Sequence, residues 1–210
     1  MNRGDILKNL KTKGICVIRD YWPRQMCEKS LEEISALDVS KFSIGQGGDI
    51  RCQHSNKFLP TAKEFMNDSL IGQVARDYSE CYYPDRSVLG IVRPIDGKRV
   101  DSGGGWHVDR EEGQQFKSII YLNDVTSDNA PFIFASESRD MVPELRKHSN
   151  LRISEQEIKD KIPQNRIIEV TGPAGTCILV DTTYPHRGKE ISEGVRYSYT
   201  TYYYENRRQS

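Results

Sequence analysis

The spacing of apolar residues divides the chain near Pro84. In the first part, apolar side chains recur every three or four residues in two stretches, which predicts two amphipathic helices. The first helix begins after Pro23, and its apolar face is formed by Cys27, Leu31, Ile34 and Leu37. The second follows residues 61–64, which have the form of a capping box, and its apolar face is formed by Leu70, Ile71, Val74 and Tyr78.

After Pro84 the pattern becomes that of short strands separated by Gly, Pro, Asn and Asp. Strands are predicted over residues 87–92, 107–109, 116–122, 131–134, 166–170, 176–181 and 195–204. An earlier apolar run at Ile15–Ile18 predicts one more strand, whereas residues 43–57 are polar and glycine-rich and predict a loop. Residues 154–161 predict a short polar helix. Helices followed by strands indicate an α+β protein, mainly β, built on an antiparallel sandwich or barrel.

Length and charge narrow the possible classes of protein. The 210 residues fit one domain, with a helical part over about residues 1–85 and a β core over about residues 86–205. Thirty Lys and Arg balance thirty Asp and Glu, so no overall field favours nucleic acid or an anionic membrane as a partner.

No apolar run has the length of a membrane span. Five cysteines, an odd number without a Cys-x-x-Cys pair, favour a reducing, cytoplasmic setting.

Candidate metal chemistry centres on Trp106-His107-Val108-Asp109, which follows three glycines. On an extended strand, His107 and Asp109 point to the same face. An imidazole and a carboxylate, completed by a second imidazole, form the facial triad of non-haem iron(II) oxygenases. The alternative, which involves no metal, is a histidine hydrogen-bonded to a nearby acid. His186 lies beyond the apolar strand at 176–180 and beside a turn, where it could be the third ligand or an exposed loop histidine.

Ten residues after His186 comes Arg196, and Ser198 lies two residues further on the same predicted strand face. A guanidinium fork beside a hydroxyl suits a carboxylate, because the arginine can bind it in two places. The alternative is a surface arginine in an ion pair. The combination of His-x-Asp, a later histidine and Arg-x-Ser favours a carboxylate-binding role for Arg196 over a surface ion pair.

This constellation resembles the iron(II)/2-oxoglutarate dioxygenases and, more narrowly, the phytanoyl-CoA dioxygenase family. The resemblance extends from Gly14-Ile15-Cys16-Val17-Ile18-Arg19-Asp20 through the metal motif to Ser118-Ile119-Ile120-Tyr121-Leu122-Asn123-Asp124 and beyond. It implies a double-stranded β-helix (jelly-roll, cupin-like) core with N-terminal helices packed on one sheet. It also implies iron(II) on His107, Asp109 and His186, and the distal carboxylate of 2-oxoglutarate on Arg196 and Ser198.

The activity that the resemblance implies is oxidation of an unactivated C–H bond, with O2 and 2-oxoglutarate as co-substrates and succinate and CO2 released. Related halogenases carry a small residue at the position of Asp109, so a carboxylate there favours hydroxylation. Desaturation, cyclisation or demethylation of a carrier-bound or macromolecular substrate is the alternative outcome. A jelly-roll module that binds a metal or ligand without catalysis is the non-enzymatic alternative.

The substrate is expected to be small and polar or anionic. Residues 51–57 are basic and polar and form either a lid over the site or a solvated loop. Arg51 and Arg93 are the candidate substrate contacts, and Trp106 either walls the site or packs in the core. Five tyrosines lie between positions 197 and 204; most are expected to pack on the strand, and one could line the pocket.

Overall fold

A computed structural model of the chain describes residues 1–79, 83–109, 115–141, 144 and 151–204. The helices of this part are α1 (Arg3–Lys13), α2 (Arg24–Ser35), α3 (Pro60–Met66), α4 (Ser69–Ser79) and α5 (Glu155–Lys161). The strands are β1 (Ile15–Ile18), β2 (Ser43–Ile44), β3 (Ile50–Cys52), β4 (Tyr83–Val92), β5 (Phe116–Tyr121), β6 (Phe132–Ala135), β7 (Ile167–Val170), β8 (Cys177–Asp181), β9 (His186–Gly188) and β10 (Arg196–Tyr204).

The strands form two antiparallel sheets that face each other. The larger has the order β1-β8-β5-β10-β4-β3-β2, and the smaller has the order β7-β6-β9. Neither sheet closes on itself, so the architecture is an open jelly roll. The predicted α+β fold with a jelly-roll core is confirmed. No helix in the described part of the chain has both the length and the apolar character needed to cross a bilayer.

The N-terminal helices cover the outer face of the larger sheet. Helices α2, α3 and α4 bury Cys27, Phe65 and Val74 in one apolar cluster with side chains from the sheet. Tyr199 and Tyr203 enter this cluster from β10, because alternate residues of a strand point to opposite faces. The other face of β10 is thereby left to point between the two sheets.

Between the sheets, one end of the sandwich is filled by an apolar cluster that includes Ile119, Phe134 and Val180. Tyr121 joins the sheets directly: its hydroxyl donates to the Val170 carbonyl at 3.0 Å and accepts from the Phe132 N–H at 2.9 Å. Its side chain is fully buried. The cluster fills one end, and the remaining space between the sheets is open to ligands.

The structure differs from the sequence-based prediction in its first sixty residues. Helix α1 was not predicted. Asn2 caps its N-terminus by accepting from the Asp5 N–H, and Gly14, in a left-handed conformation, caps its C-terminus. The buried face of this helix is formed by only two residues, Ile6 and Leu10. Within the region predicted as a loop, β2 and β3 extend the edge of the larger sheet beside β4.

The predicted capping box at residues 61–64 is wrong. Pro60 begins α3, and the Thr61 hydroxyl donates instead to Glu33 Oε2 at 2.7 Å, tying α3 to α2. The second predicted helix is also divided into α3 and α4. A capping box does form at Ser154 and Glu157, where the polar helix α5 was predicted. The predicted strand at 107–109 is reduced to two isolated bridges, one between His107 and His186 and one between His107 and Arg152.

Candidate metal and co-substrate site

Three glycines shape the approach to His107. Gly103, Gly104 and Gly105 all have positive φ values, between 73° and 100°, which other residues rarely adopt. A Cβ at Gly103 would lie 2.7 Å from Cε1 of the His107 ring. The glycine run therefore permits a turn that passes closely over the imidazole.

Backbone carbonyl groups orient both histidine rings. Nδ1 of His107 lies 2.9 Å from the Gly105 carbonyl oxygen, and Nδ1 of His186 lies 2.9 Å from the Tyr184 carbonyl oxygen. With the proton on Nδ1, each ring donates to its carbonyl and leaves Nε2 with a lone pair. Such outer contacts commonly fix the tautomer and orientation of metal-binding histidines.

Asp109 completes the ligand set. Its N–H donates to the Thr182 carbonyl at 3.0 Å, which holds the residue beside the segment leading into β9. Its Oδ2 lies 4.0 Å from Nε2 of His186. Ligand atoms of His107, Asp109 and His186 all lie within 4.8 Å of one another. Two nitrogens and one carboxylate at this separation fit a divalent metal bound on one face, as in a facial triad.

Electrostatics keep the three side chains in the protonation states that a metal requires. Burial, and then the neighbouring His186, lower the pKa of His107 to about 3. Burial also lowers the pKa of His186. Burial opposes ionisation of Asp109, but the Lys117 ammonium and the two imidazoles outweigh it and hold the pKa of that carboxyl below its usual value. The site therefore offers two neutral imidazoles and one carboxylate at neutral pH.

The three side chains line a cavity of about 810 Å³ between the sheets. This volume lies within the usual range for small-molecule sites. Along β10, alternate residues face the cavity: Arg196, Ser198, Thr200 and Tyr202. Along β5, the corresponding set is Lys117, Ile119 and Tyr121.

Arg196 and Ser198 both face the cavity, as the alternation along the strand predicted. Arg196 is 5% exposed and donates to the Ala130 carbonyl, while Ser198 is 4% exposed. Burial lowers the pKa of Arg196. In the larger sheet Ser198 is paired with Gly90 on one side and Tyr121 on the other. Because Gly90 has no side chain, space remains beside the hydroxyl for a bound group.

The predicted substrate contacts are distributed differently. Arg51 lines the cavity and forms an ion pair with the buried Asp49, with Nε 2.6 Å from Oδ2. Arg93 is exposed and is not among the residues that line the cavity. Trp106 packs in an apolar cluster with Val108 and Ile153 and is not among the residues that line the cavity. Its position therefore fits core packing and not the cavity wall.

Several residues of the site were not identified from the sequence. Lys117 lies 2.6 Å from Oδ2 of Asp109, and its signal was a charge within an otherwise apolar strand. Arg152 donates to the carbonyls of Gly103 and Gly104 and to the side chain of Gln46, which fixes the glycine turn to two neighbouring loops. No local pattern around Arg152 indicated these contacts. Among the tyrosines at positions 197–203, whose side chains are described, Tyr202 lines the cavity.

Comparison with family models gives a match over most of the chain. A profile of the phytanoyl-CoA dioxygenase family (PhyH) matches residues 10–198, which include every candidate ligand. The chain belongs to the phytanoyl-CoA dioxygenase family. This family falls within the iron- and 2-oxoglutarate-dependent oxygenases. No curated protein matched the sequence.

Solved structures share the fold of this phytanoyl-CoA dioxygenase family member at low sequence identity. The epimerase SnoN with Fe3+, alpha ketoglutarate and nogalamycin RO has a TM-score of 0.77 at 13% identity, covering 96% of this chain and 82% of its own. HygX from Streptomyces hygroscopicus with nickel, 2-oxoglutarate and hygromycin B has a TM-score of 0.64 at 14% identity, covering 99% and 88%. EctD from S. alaskensis with bound Fe has a TM-score of 0.69 at 18% identity, covering 94% and 74%.

Proposed function

We propose that this protein is an iron(II)- and 2-oxoglutarate-dependent dioxygenase that hydroxylates an unactivated C–H bond of a small, anionic molecule. The observation that carries the proposal is the convergence of His107, Asp109 and His186 on a cavity that Arg196 and Ser198 also line. The two imidazoles and the carboxylate would hold iron(II). The guanidinium and hydroxyl would receive the distal carboxylate of 2-oxoglutarate.

Bound iron, 2-oxoglutarate and O2 would supply the oxidising chemistry, with succinate and CO2 as the co-products. The protein side chains position the reactants. Carbonyls of Gly105 and Tyr184 hold the two imidazole rings in place. Asp109 occupies the third ligand position with a carboxylate, which supports hydroxylation over halogenation.

Charge in the cavity supports an anionic substrate. Among the described residues of its lining, five side chains are cationic: Arg51, Lys117, Arg152, Arg187 and Arg196. Two are carboxylates, Asp49 and Asp109. Cationic groups outnumber carboxylates in the lining, although Arg187 is also paired with Glu155 outside it and Arg196 would be taken by the co-substrate; the remaining balance favours an anionic substrate.

A substrate screen tests the proposal. The iron-loaded protein is incubated with 2-oxoglutarate and O2, and substrate-stimulated succinate release is measured for amino acids, sugar acids, phosphonates and acyl thioesters. We expect a polar acid to stimulate release and its product to gain one oxygen atom. Stimulation by long-chain acyl thioesters while every polar acid is silent would contradict the substrate class.

Product analysis separates hydroxylation from related outcomes. A product that has lost two hydrogen atoms would identify desaturation or ring closure, and an isomer of unchanged mass would identify epimerisation. The Arg196→Ala variant serves as the matched control, because it keeps the three metal ligands. Succinate release that does not depend on Arg196 would argue against the assigned co-substrate site.

A further inference from the structure

Residues 182–185, here called the ligand turn, lead from β8 into His186 and contact two of the three candidate metal ligands. The Thr182 carbonyl accepts from the N–H of Asp109 at 3.0 Å. The Tyr184 carbonyl oxygen lies 2.9 Å from Nδ1 of His186. A displacement of the ligand turn would therefore move the carboxylate ligand and rotate an imidazole ligand at the same time.

The side chain of Asp181, at the end of β8, holds the middle of the ligand turn. Its Oδ1 accepts from the N–H of Thr183 at 3.0 Å and from the Thr183 hydroxyl at 2.7 Å. Its Oδ2 accepts from the hydroxyl of Tyr78, on α4, at 2.9 Å. Asp181 is fully buried and is not among the described residues that line the cavity. Its connection to the metal ligands therefore runs through the ligand turn.

The three contacts of Asp181 suit an ionised carboxylate, which accepts hydrogen bonds with both oxygens. Hydrogen bonds to a charged group are roughly twice as strong as those between neutral groups. Burial, and then the Asp181 carboxylate, raise the pKa of Tyr78, so its hydroxyl keeps the proton that it donates. An asparagine at this position would accept with one oxygen only, and its NH2 group would face a donor.

Main-chain contacts hold β8 in place but leave the middle of the ligand turn to Asp181. Strand β8 is paired with β1 on one side and with β5 on the other. The Thr182 N–H donates to the Gln115 carbonyl at 2.8 Å, which holds the start of the turn. The Tyr184 N–H is 3.4 Å from the Asp181 carbonyl, which is long for a hydrogen bond. Loss of the carboxylate should therefore loosen the ligand turn while the sheet stays intact.

We propose that Asp181 is a positioning residue for the metal centre. Through Thr183 it fixes the ligand turn, and Tyr78 fixes the orientation of its carboxylate. The inference rests on the proposed dioxygenase function, because it requires a metal held by the candidate ligands. Since Tyr78 belongs to α4, the same contacts connect the N-terminal helices with the metal site.

The test measures the affinity for nickel(II) by calorimetric titration of the metal-free protein and its variants. Asp181→Asn keeps the shape of the side chain but weakens its hold on the turn. Thr183→Val removes the hydroxyl at similar volume, and Thr183→Ser retains it. Tyr199→Phe is the matched control, because Tyr199 is a fully buried tyrosine whose hydroxyl lies 3.0 Å from Oγ1 of Thr61, under the N-terminal helices.

We expect Asp181→Asn and Thr183→Val to weaken nickel(II) binding about ten- to a hundredfold, the usual effect of losing an outer contact of a metal ligand. Thr183→Ser should keep most of the affinity, and Tyr78→Phe should lower it by less than Asp181→Asn does. Tyr199→Phe loses a comparable buried contact, so it should lower the melting temperature and leave the nickel(II) affinity unchanged.

A second measurement follows the His186 ring in the metal-free protein. Its nitrogen-15 resonances report which ring nitrogen carries the proton. We expect the Nδ1–H tautomer in the wild type and in Tyr199→Phe, because the Tyr184 carbonyl accepts from that nitrogen. In Asp181→Asn we expect a mixture of the two tautomers, because the loosened turn no longer holds the carbonyl in place.

Unchanged nickel(II) affinity in both Asp181→Asn and Thr183→Val would overturn the proposal, and so would an equal loss in Tyr199→Phe. If Asp181→Asn does not fold, equal affinities of Thr183→Val and Thr183→Ser would overturn it. An unchanged His186 tautomer in a folded Asp181→Asn would also contradict it. A wild-type protein that binds no nickel(II) would instead reject the metal site of the proposed dioxygenase function, which keeps the two failures distinct.

Discussion

His107 and His186 are joined by a pair of backbone hydrogen bonds. The His107 N–H donates to the His186 carbonyl at 3.0 Å, and the His186 N–H donates to the His107 carbonyl at 2.9 Å. Their rings lie with centroids 4.3 Å apart. A bridge of this kind fixes the separation of the two imidazoles, so the fold preorganises two of the three candidate ligands.

Loss of either histidine is expected to abolish tight metal binding. His107→Ala or His186→Ala removes a direct ligand and should cost more than the roughly 10- to 100-fold lost with an outer-shell partner. Metal content after dialysis against iron(II) or nickel(II) provides the measurement. His54→Asn is the control, because His54 is not in the cavity lining and asparagine tolerates its positive φ of 52°. Stoichiometric metal in a variant lacking both histidines would refute the assignment.

Arg196→Lys is expected to weaken 2-oxoglutarate binding although it keeps the positive charge. An ammonium cannot replace the planar fork of the guanidinium, and the loss should be about ten- to a hundredfold in affinity. Calorimetric titration of 2-oxoglutarate into the nickel-loaded protein gives the affinity. Arg93→Lys is the control and should bind normally. An unchanged affinity in Arg196→Ala would remove Arg196 from the co-substrate site.

Metal-free protein should lose stability as the pH falls from 6.5 towards 3. Burial lowers the pKa of His107 from 6.5 to about 3 in the folded state, so the unfolded chain binds a proton in this range before the folded chain does. Protonation therefore favours unfolding as the pH decreases, and the effect is absent above the unfolded pKa. Urea unfolding in the presence of a chelator measures it. In His107→Gln the free energy of unfolding should depend less steeply on pH. Identical profiles for the variant and the wild type would show that His107 does not cause this pH dependence.

Tyr121→Phe should destabilise the jelly roll without altering the cavity charge. The variant leaves the buried Phe132 N–H and Val170 carbonyl without their hydroxyl partner, at a cost of about 1–3 kcal/mol. Thermal unfolding should shift by roughly 2–4 °C for each kcal/mol in a protein of this size. The control is Tyr197→Phe on β10, because Tyr197 lies on the face of that strand directed away from the cavity. Equal melting temperatures for the two variants would show that the hydroxyl does not join the sheets.

The candidate ligand set and the proposed anchor of the co-substrate could be predicted because strand alternation is a local rule. Two-residue spacing places Arg196 and Ser198 on one face of β10, and both line the cavity. His107 and Asp109 were also correctly placed together. The strand predicted for them did not form, because His107 takes part only in isolated bridges. The chemistry of these residues therefore indicated the site better than the predicted element did.

Other contacts depend on distant parts of the chain and could not be predicted locally. Arg152 reaches the glycine turn across 49 residues, and Thr61 bonds Glu33 because α2 and α3 pack together. The local pattern had predicted that the Thr61 hydroxyl caps a helix, but the hydroxyl forms this tertiary contact instead. Lys117 carried a local signal, a charge in an apolar strand, but its partner could be identified only after folding.

Anaerobic spectroscopy of the wild-type protein tests whether iron(II) and 2-oxoglutarate bind together at the proposed site. Iron(II) and then 2-oxoglutarate are added to the metal-free protein, and the visible spectrum is recorded after each addition. We expect a metal-to-ligand charge-transfer band that appears with 2-oxoglutarate, saturates at one equivalent of iron and is absent from His107→Ala and His186→Ala. A wild-type protein that gives no band, or a band that survives loss of both histidines, would contradict this expectation.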